Sequence, residues 1–273
     1  MIGRVLVIGG SDSGGGAGIQ ADLKTITALG GYAASAITAL TAQNTLGVSD
    51  VMGVPAGFVA AQIDAVLSDI GADSIKTGML YNASITATVA ERCGRVSPST
   101  QIVVDPVMVS STGHELLNAE GREVLVEQLL PKAALVTPNI PEAALLTGVV
   151  IETPNDYRRA ADWLLARGAG AVLIKGGHAA GDIIVDMLRT MDGDEIVFES
   201  ARVETRSTHG TGCTLASAAA LGIAEGLTLK DAVRRARDFV AGALAAAPGL
   251  GRGIGPMNHA YAFAPKPENE SGV

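Results

Sequence analysis

The stretch RVLVIGGSDSGGGAGIQADLKTITAL, residues 4–29, decides the fold class. It opens with residues 4–8, where Arg4 leads into a short apolar run that reads as a strand. Residues 17–29 then read as a helix. Between them lies GGSDSGGGAG, residues 9–18. It is not a Walker loop, because no Gly-Lys-Ser/Thr follows, and it does not fit G-x-G-x-x-G. A Gly-rich loop at the C-terminal end of a parallel strand is where ligands bind in such folds. The competing reading is a turn that needs glycines only for its backbone shape. Asp22, in the first turns of the helix, either stabilises the helix dipole or holds a substrate hydroxyl or amine.

The same rhythm continues outward from this unit. Strands are predicted at 33–40, 74–76, 102–104, 135–136 and 171–174. Helices are predicted at 58–70, 83–92 and 154–167, the last with Thr153 as N-cap and Pro154 in its first turn. Residues 183–188 and 195–198 flank Met-Asp-Gly-Asp, residues 191–194, which is a hairpin signal. Two Ala-rich helices follow at 211–225 and 229–247, with Thr228 and Asp231 as a capping pair for the second. Alternating strands and helices predict a mainly parallel sheet with helices on both faces, and the hairpin adds antiparallel strands at one edge. The expected organisation is a single α/β domain over 1–264 with a polar tail at 265–273.

Composition narrows the function classes. The 273 residues carry 20 Lys plus Arg against 28 Asp plus Glu, a net charge of −8. A nucleic-acid binder needs a basic face, so that class is disfavoured. Aromatics are 3%, which weakens any reading that needs base-stacking platforms. With 48% apolar and 18% charged residues the chain is globular, and a fold of this length buries roughly 75% of its extended surface. No apolar run reaches the roughly 18 residues of a membrane span, and the N-terminus lacks a signal-peptide pattern. Two cysteines, Cys93 and Cys213, make no disulfide framework, so a cytoplasmic, reducing setting is expected.

A second candidate site is HGTGC, residues 209–213, at the start of an Ala-rich helix. Free N–H groups there make an anion site, with Gly210, Thr211 and Gly212 cradling a phosphoryl group. Cys213 would sit in the first turn, where the dipole lowers a thiol pKa from about 8.5; the alternative is a small packing residue. Acidic groups also fall at strand ends. Asp105 follows the strand at 102–104, and Asn139 and Glu142 lie in TPNIPEA, residues 137–143. Such carboxylates suit Mg²⁺, directly or through water; the alternatives are helix caps or surface charges. Lys175 ends a buried strand where it can meet nucleotide phosphate, and Gln43 offers donor and acceptor to a polar ring edge. His114, His178 and His259 are isolated and read as loop residues.

Together these segments resemble a family. GGSDSGGGAGIQADLKT (9–25), TALTAQNT (38–45), IKTGML (75–80), VVDPVM (103–108), TPNIPEA (137–143), IKGGH (174–178) and HGTGCTLASA (209–218) are similar to the hydroxymethylpyrimidine/phosphomethylpyrimidine kinases of thiamine biosynthesis, within the ribokinase-like superfamily. The resemblance implies a three-layer α/β/α sandwich and an ATP- and Mg²⁺-dependent kinase. Its substrates would be 4-amino-5-hydroxymethyl-2-methylpyrimidine and then the monophosphate. By the same resemblance Gln43, Asp22, Met79, Val107 and Gly10 line the pyrimidine pocket, and Gly210-Thr211-Gly212 is the anion hole. Cys213 stands where many superfamily members place an Asp base. Lys175, Asn139 and Thr208 fall to the nucleotide, Asp105 and Glu142 to the metal, and the expected assembly is a homodimer. A related group of Cys-containing pyridoxal kinases is the close rival. A non-catalytic pyrimidine sensor and a Rossmann dehydrogenase are readings from other classes, the latter disfavoured by the missing G-x-G-x-x-G.

Overall fold

The computed structural model describes residues 2–110, 113–179 and 181–263, so the tail expected at 265–273 lies outside the described residues. The first unit forms as the sequence predicts, but its strand β1 (Arg4–Asp12) runs on through Gly9 and Gly10 before helix α1 (Gly18–Ala28). The other strands are β2 (Tyr32–Asn44), β3 (Gly47–Gly53), β4 (Ser74–Thr77), β5 (Gln101–Val104), β6 (Leu135–Val136), β7 (Ala171–Ile174), β8 (Ile183–Thr190) and β9 (Glu195–Ala201). The other helices are α2 (Ala56–Asp69), α3 (Ala83–Cys93), α4 (Ala119–Val124), α5 (Ile140–Thr147), α6 (Pro154–Leu165), α7 (Thr211–Ala224) and α8 (Leu229–Ala245). A wider π turn, Leu125–Leu129, continues α4.

Among the described residues the strands form one sheet in the order β3-β2-β1-β4-β5-β6-β7-β8-β9. The pairs from β2 to β7 are parallel; β3, β8 and β9 are antiparallel to their neighbours. Side chains alternate across the pleat. Leu6, Ile8, Ile75 and Val104 therefore join one core with α2, α3, α5 and α6, while Val5, Val7 and Val103 join another with α1, α7 and α8. Burying each such side chain contributes about 1.5–3 kcal/mol. Helices α7 and α8 approach closely, as their alanines predict: a Cβ on Gly222 would stand 2.8 Å from the Ala232 Cβ. This is the three-layer α/β/α arrangement with antiparallel edges that the sequence implies.

Two details differ. Antiparallel strands lie at both edges of the sheet, because β2 extends to Asn44 and folds back as β3; the GVSDVMG segment of β3 lacks the alternation that signals a strand. Helices α4 and α5 are six and eight residues long, too short for a periodic apolar signal. No described helix is long and apolar enough to cross a membrane.

The topology sets the site. From β1 the chain moves one way to β2 and β3, then crosses to β4 on the other side. The strand order thus reverses between β1 and β4, and such a switch point opens a crevice at the strands' C-terminal ends. Gly10 and Met79 face each other there: a Cβ on Gly10 would stand 2.8 Å from the Met79 sulfur.

Candidate active site

The two Gly-rich motifs, nearly 200 residues apart, pack against each other. Gly210 is the N-cap of α7 with φ of +86°, and a Cβ there would collide with the Gly16 carbonyl. The 9–18 loop is held from within. The Asp12 carboxylate accepts from the amides of Gly14 (2.8 Å), Gly16 (3.0 Å) and Ala17 (2.8 Å). Its other contact is His209 Nε2 at 2.9 Å. Burial alone would raise the Asp12 carboxyl, but the His209, Ala17 and Gly14 hydrogen bonds outweigh it and hold it below the usual range. These three loop amides therefore serve Asp12. The first bond within α7 runs from Thr214 to the Gly210 carbonyl at 2.9 Å. The amides of Gly212 and Cys213 precede it, in the first turn, where helix amides have no intrahelical partner. Thr211 donates its amide to the carbonyl of exposed Thr208 at 3.3 Å.

Cys213 occupies the expected position, but its thiol does not behave as the helix dipole predicts. Burial pushes it up to about 12, with Asp22 and Asp105 adding to the rise; the Lys76 ammonium and the Gly18 amide pull the other way and lose. The dipole at a helix start is worth about 0.3–1 kcal/mol, too little to offset desolvation. The ligand-free chain thus carries Cys213 as a thiol.

Asp22 is not on the wall of the crevice. It is 1% exposed, and its carboxylate takes Lys76 Nζ at 2.8 and 3.0 Å and the Ser217 hydroxyl at 2.7 Å. Burial works against both charges; the two-oxygen contact keeps Lys76 protonated, its pKa raised further by the Asp105 carboxylate. A second buried pair lies beside it. Lys175 donates to Asp105 at 2.8 Å, Thr137 donates to the same carboxylate oxygen at 3.0 Å, and a Cβ on Gly212 would stand 3.1 Å from Lys175 Nζ. Burial would lower Lys175, and Asp105 and Glu142 raise it.

Asn139 and Glu142 form a reciprocal capping box on α5: Asn139 Oδ1 accepts the Glu142 amide and Glu142 Oε2 accepts the Asn139 amide, both at 2.8 Å. The capping role is thus real for both, and it leaves Glu142 buried with its carboxyl pushed up to about 7, mainly by desolvation. A buried carboxyl that ionises so reluctantly, next to Asp105, is a donor set that a divalent cation would suit. Among the described residues no three His, Cys, Asp or Glu side chains converge as a metal cage.

On the other side of the crevice Gln43 is half-buried at the end of β2. Its backbone exchanges hydrogen bonds with the Ser13 hydroxyl, both at 2.8 Å, and its Nε2 lies 3.4 Å from His209 Nε2. Met79 is buried and its carbonyl accepts from Thr38. Val107, half-buried, follows β5. The structure thus gathers Gly10, Met79 and Gln43 near the 9–18 loop, and Cys213, Asp105, Lys175 and Glu142 near the α7 N-terminus. A cavity of about 510 Å³ opens beyond Met79, between β3 and residues 114–118.

Three residues escape a sequence reading: Lys76, Asp12 and His209. Lys76 had a usable signal. A lysine inside a four-residue strand covered on both faces must be paired, since lysine is almost never fully buried otherwise. Asp12 and His209 sit inside motifs whose glycines dominate the pattern, and nothing in their spacing pairs them.

Comparison with known proteins agrees with this geometry. A family model described as phosphomethylpyrimidine kinase matches residues 12–258. The chain is 51% identical over 261 residues to the thiamine biosynthesis bifunctional protein ThiED of Geobacter sulfurreducens, covering 95% of this chain but 53% of that one. It is 50% identical to the hydroxymethylpyrimidine/phosphomethylpyrimidine kinase of Streptomyces coelicolor, over 95% of each chain. Among solved structures, the pyridoxal kinase of Staphylococcus aureus with ADP superposes with a TM-score of 0.88 at 36% identity, over 97% of this chain and 95% of that one. The phosphomethylpyrimidine kinase of Clostridium difficile superposes with a TM-score of 0.77 at 39% identity, over 88% and 98%. The chain spans about half the length of the Geobacter relative and nearly all of the Streptomyces one. By its sequence over residues 12–258 and by the site at the β1/β4 switch point, this chain belongs to the phosphomethylpyrimidine kinase family.

Proposed function

We propose that the chain phosphorylates 4-amino-5-hydroxymethyl-2-methylpyrimidine and then its monophosphate, using ATP and Mg²⁺, in thiamine biosynthesis. The observation that carries this reading is the convergence of the α7 N-terminus with two buried lysine–carboxylate pairs, Lys175–Asp105 just beyond the ends of β7 and β5 and Lys76–Asp22 between β4 and α1. That is an arrangement for positioning anions and screening charge, which is most of what phosphoryl transfer needs. The names of the relatives at 50% identity supply the acceptor. ATP would bring the γ-phosphoryl group, and a bound Mg²⁺ would supply charge neutralisation for it. On this reading Lys175, Asn139 and Thr208 would face the nucleotide, and Asp105 and Glu142 would hold the metal, directly or through water. Gly210, Thr211 and Gly212 hold the transferring group. Gln43, Met79, Val107 and Gly10 line the pyrimidine, and Asp22 acts through Lys76.

In the first transfer the hydroxyl oxygen bonds to the γ-phosphorus as the bond to the bridging oxygen breaks, and ADP leaves. The hydroxyl proton goes to Cys213, which must first be a thiolate. With a thiol near 12 that form is a small minority at neutral pH. In the second transfer the acceptor is a phosphate monoester, already largely anionic, and no base is required. The proposed unit is a single kinase domain over 1–264, acting as a cytoplasmic homodimer. Exposed Leu40, Leu46, Met52 and Phe58 around the free β3 edge support self-association.

The test is ATP turnover on a panel of the pyrimidine alcohol, its monophosphate, pyridoxal and pyridoxine, with products weighed by mass spectrometry. The expected products are the pyrimidine monophosphate and then the diphosphate. Phosphorylated pyridoxal with the pyrimidine untouched would make the chain a pyridoxal kinase. Tight pyrimidine binding with no ATP turnover would make it a sensor.

A further inference from the structure

His209 opens the 209–213 turn and is buried. Its Nε2 lies 2.9 Å from Asp12 Oδ2, and the Asp12 carboxylate also accepts the amides of Gly14, Gly16 and Ala17. A carboxylate only accepts, so Nε2 carries a hydrogen and donates it to Asp12, whatever the charge of the ring. The surroundings hold the imidazole in place. The His209 backbone amide donates to the Gly255 carbonyl at 3.1 Å, and a Cβ on Gly16 would stand 2.7 Å from His209 Cδ2.

The Gln43 side-chain amide stands between this N–H and Thr41. Its Nε2 is 3.4 Å from His209 Nε2, and its Oε1 is 3.2 Å from the Thr41 hydroxyl. Thr41 has one hydroxyl proton, and the shorter of its two contacts places that proton on the Ser11 carbonyl at 2.9 Å. His209 thus offers the amide an N–H, and Thr41 offers it a lone pair. The complementary orientation has Oε1 toward His209 and Nε2 toward Thr41. It is reached by a half-turn about the last side-chain torsion, which is broad and two-fold for glutamine. An amide has two N–H groups and two oxygen lone pairs, so one of each then remains for a ligand. Gln43 is half-buried and keeps an accessible surface for it.

We infer that His209, held by Asp12, and Thr41 are positioning residues: they fix which end of the Gln43 amide meets which atom of the ring, and so select an aminopyrimidine over its oxo counterpart. On the proposed function, on which this inference rests, the ligand is a 4-aminopyrimidine whose N3 accepts and whose amino group donates. The amino group therefore meets Oε1 on the His209 side, and N3 meets Nε2 on the Thr41 side. The 5-hydroxymethyl group is the ring neighbour of the 4-amino group, so it too lies on the His209 side, where the Gly210–Cys213 turn begins. A reversed amide would direct the hydroxymethyl away from that turn. A 4-oxo ring offers the opposite pattern, an N3–H donor and an oxygen acceptor, and fits only the reversed amide.

The test is calorimetric binding of the 4-amino pyrimidine alcohol, and of its analogue with a 4-oxo group in place of the amino group, to the full chain as parent, His209→Phe, Thr41→Val and Thr41→Ser. The parent should prefer the amino ligand by about 10- to 100-fold, the worth of two ordinary hydrogen-bond contacts. Without either fixed partner the amide turns at lower cost, so His209→Phe and Thr41→Val should each cut that preference by about 3- to 10-fold. Thr41→Ser keeps the hydroxyl and should keep the preference. A merely structural role would weaken both ligands alike and leave their ratio unchanged. Should His209→Phe fail to fold by circular dichroism, Thr41→Val decides alone. A parent that binds the amino ligand without preference, or an unchanged ratio in Thr41→Val, overturns the inference and leaves the proposed function standing. A parent chain that binds neither ligand overturns the proposed function, and this inference with it.

Discussion

Replacing Gly210 by alanine perturbs the contact between the two motifs at its narrowest point. The magnitude can be set against a control with the same backbone. Gly30 and Gly210 both have φ of +86°. A Cβ on Gly30 meets nothing within 4 Å, whereas one on Gly210 collides with the Gly16 carbonyl and comes within 3.1 Å of the Ala17 Cα. Gly30→Ala should then cost only the left-handed strain of an L-residue, about 1–2 kcal/mol. Gly210→Ala carries the same strain plus overpacking of about 1–3 kcal/mol, roughly 2–5 kcal/mol in all. The 14–17 loop cannot step aside freely, because the Asp12 carboxylate holds the Gly16 and Ala17 amides. Urea denaturation of both variants gives the stability difference, and steady-state turnover on the pyrimidine alcohol gives the catalytic one. Gly30→Ala should keep the parental rate. Gly210→Ala moves the α7 amides and should lose about 10²-fold, the scale of one lost oxyanion donor. A Gly210→Ala chain no less stable than Gly30→Ala and turning over at the parental rate would refute the reasoning.

Other consequences are as direct. Gln43→Ala should weaken the pyrimidine by about 1–3 kcal/mol in an equilibrium titration, because a buried ring donor loses its partner; parental affinity removes Gln43 from the ring edge. Asp105→Asn and Glu142→Gln should shift the Mg²⁺ dependence of turnover to higher concentration more than they change pyrimidine affinity, and titration curves that overlay the parent exclude the metal role. For the alcohol, kcat/KM reports ionisation in the free enzyme. A thiol raised to about 12 ionises progressively as pH rises, so the value should climb from pH 7 to pH 9 without levelling. A plateau below pH 8 would show that another group limits the rate.

Much of the architecture was legible because the parallel strands are short apolar runs and the longer helices carry their own caps. Residues 171–174 stand as predicted, and Pro154 opens α6 beside Thr153. The edge strand β3 was not legible, because its fit to β2 is tertiary and its half-exposed residues show no alternation. The candidate residues Cys213, Asp105, Lys175 and Glu142 stand out in the sequence by their places at strand ends and near helix starts. Their electrostatics were not. The Cys213 thiol is set by burial and by two carboxylates from distant elements, so the local helix position predicted the wrong direction. Asp22 read as a dipole partner or a substrate contact, and its actual partner, Lys76, lies 54 residues away. Only the fold brings those charges together.

The central claim is that phosphoryl transfer to the pyrimidine alcohol takes place at the Gly210–Cys213 turn with Cys213 as the base. Steady-state rates of a Cys213→Ala variant on the alcohol and on the monophosphate, with folding checked by circular dichroism, test it most directly. A positioned base contributes about 10²–10⁴ in rate, so the alcohol reaction should fall by that factor with binding nearly intact. The monophosphate reaction should fall less, since its nucleophile is already anionic. If the folded variant turns over the alcohol at the parental rate, Cys213 only packs the start of α7 and the claim is contradicted.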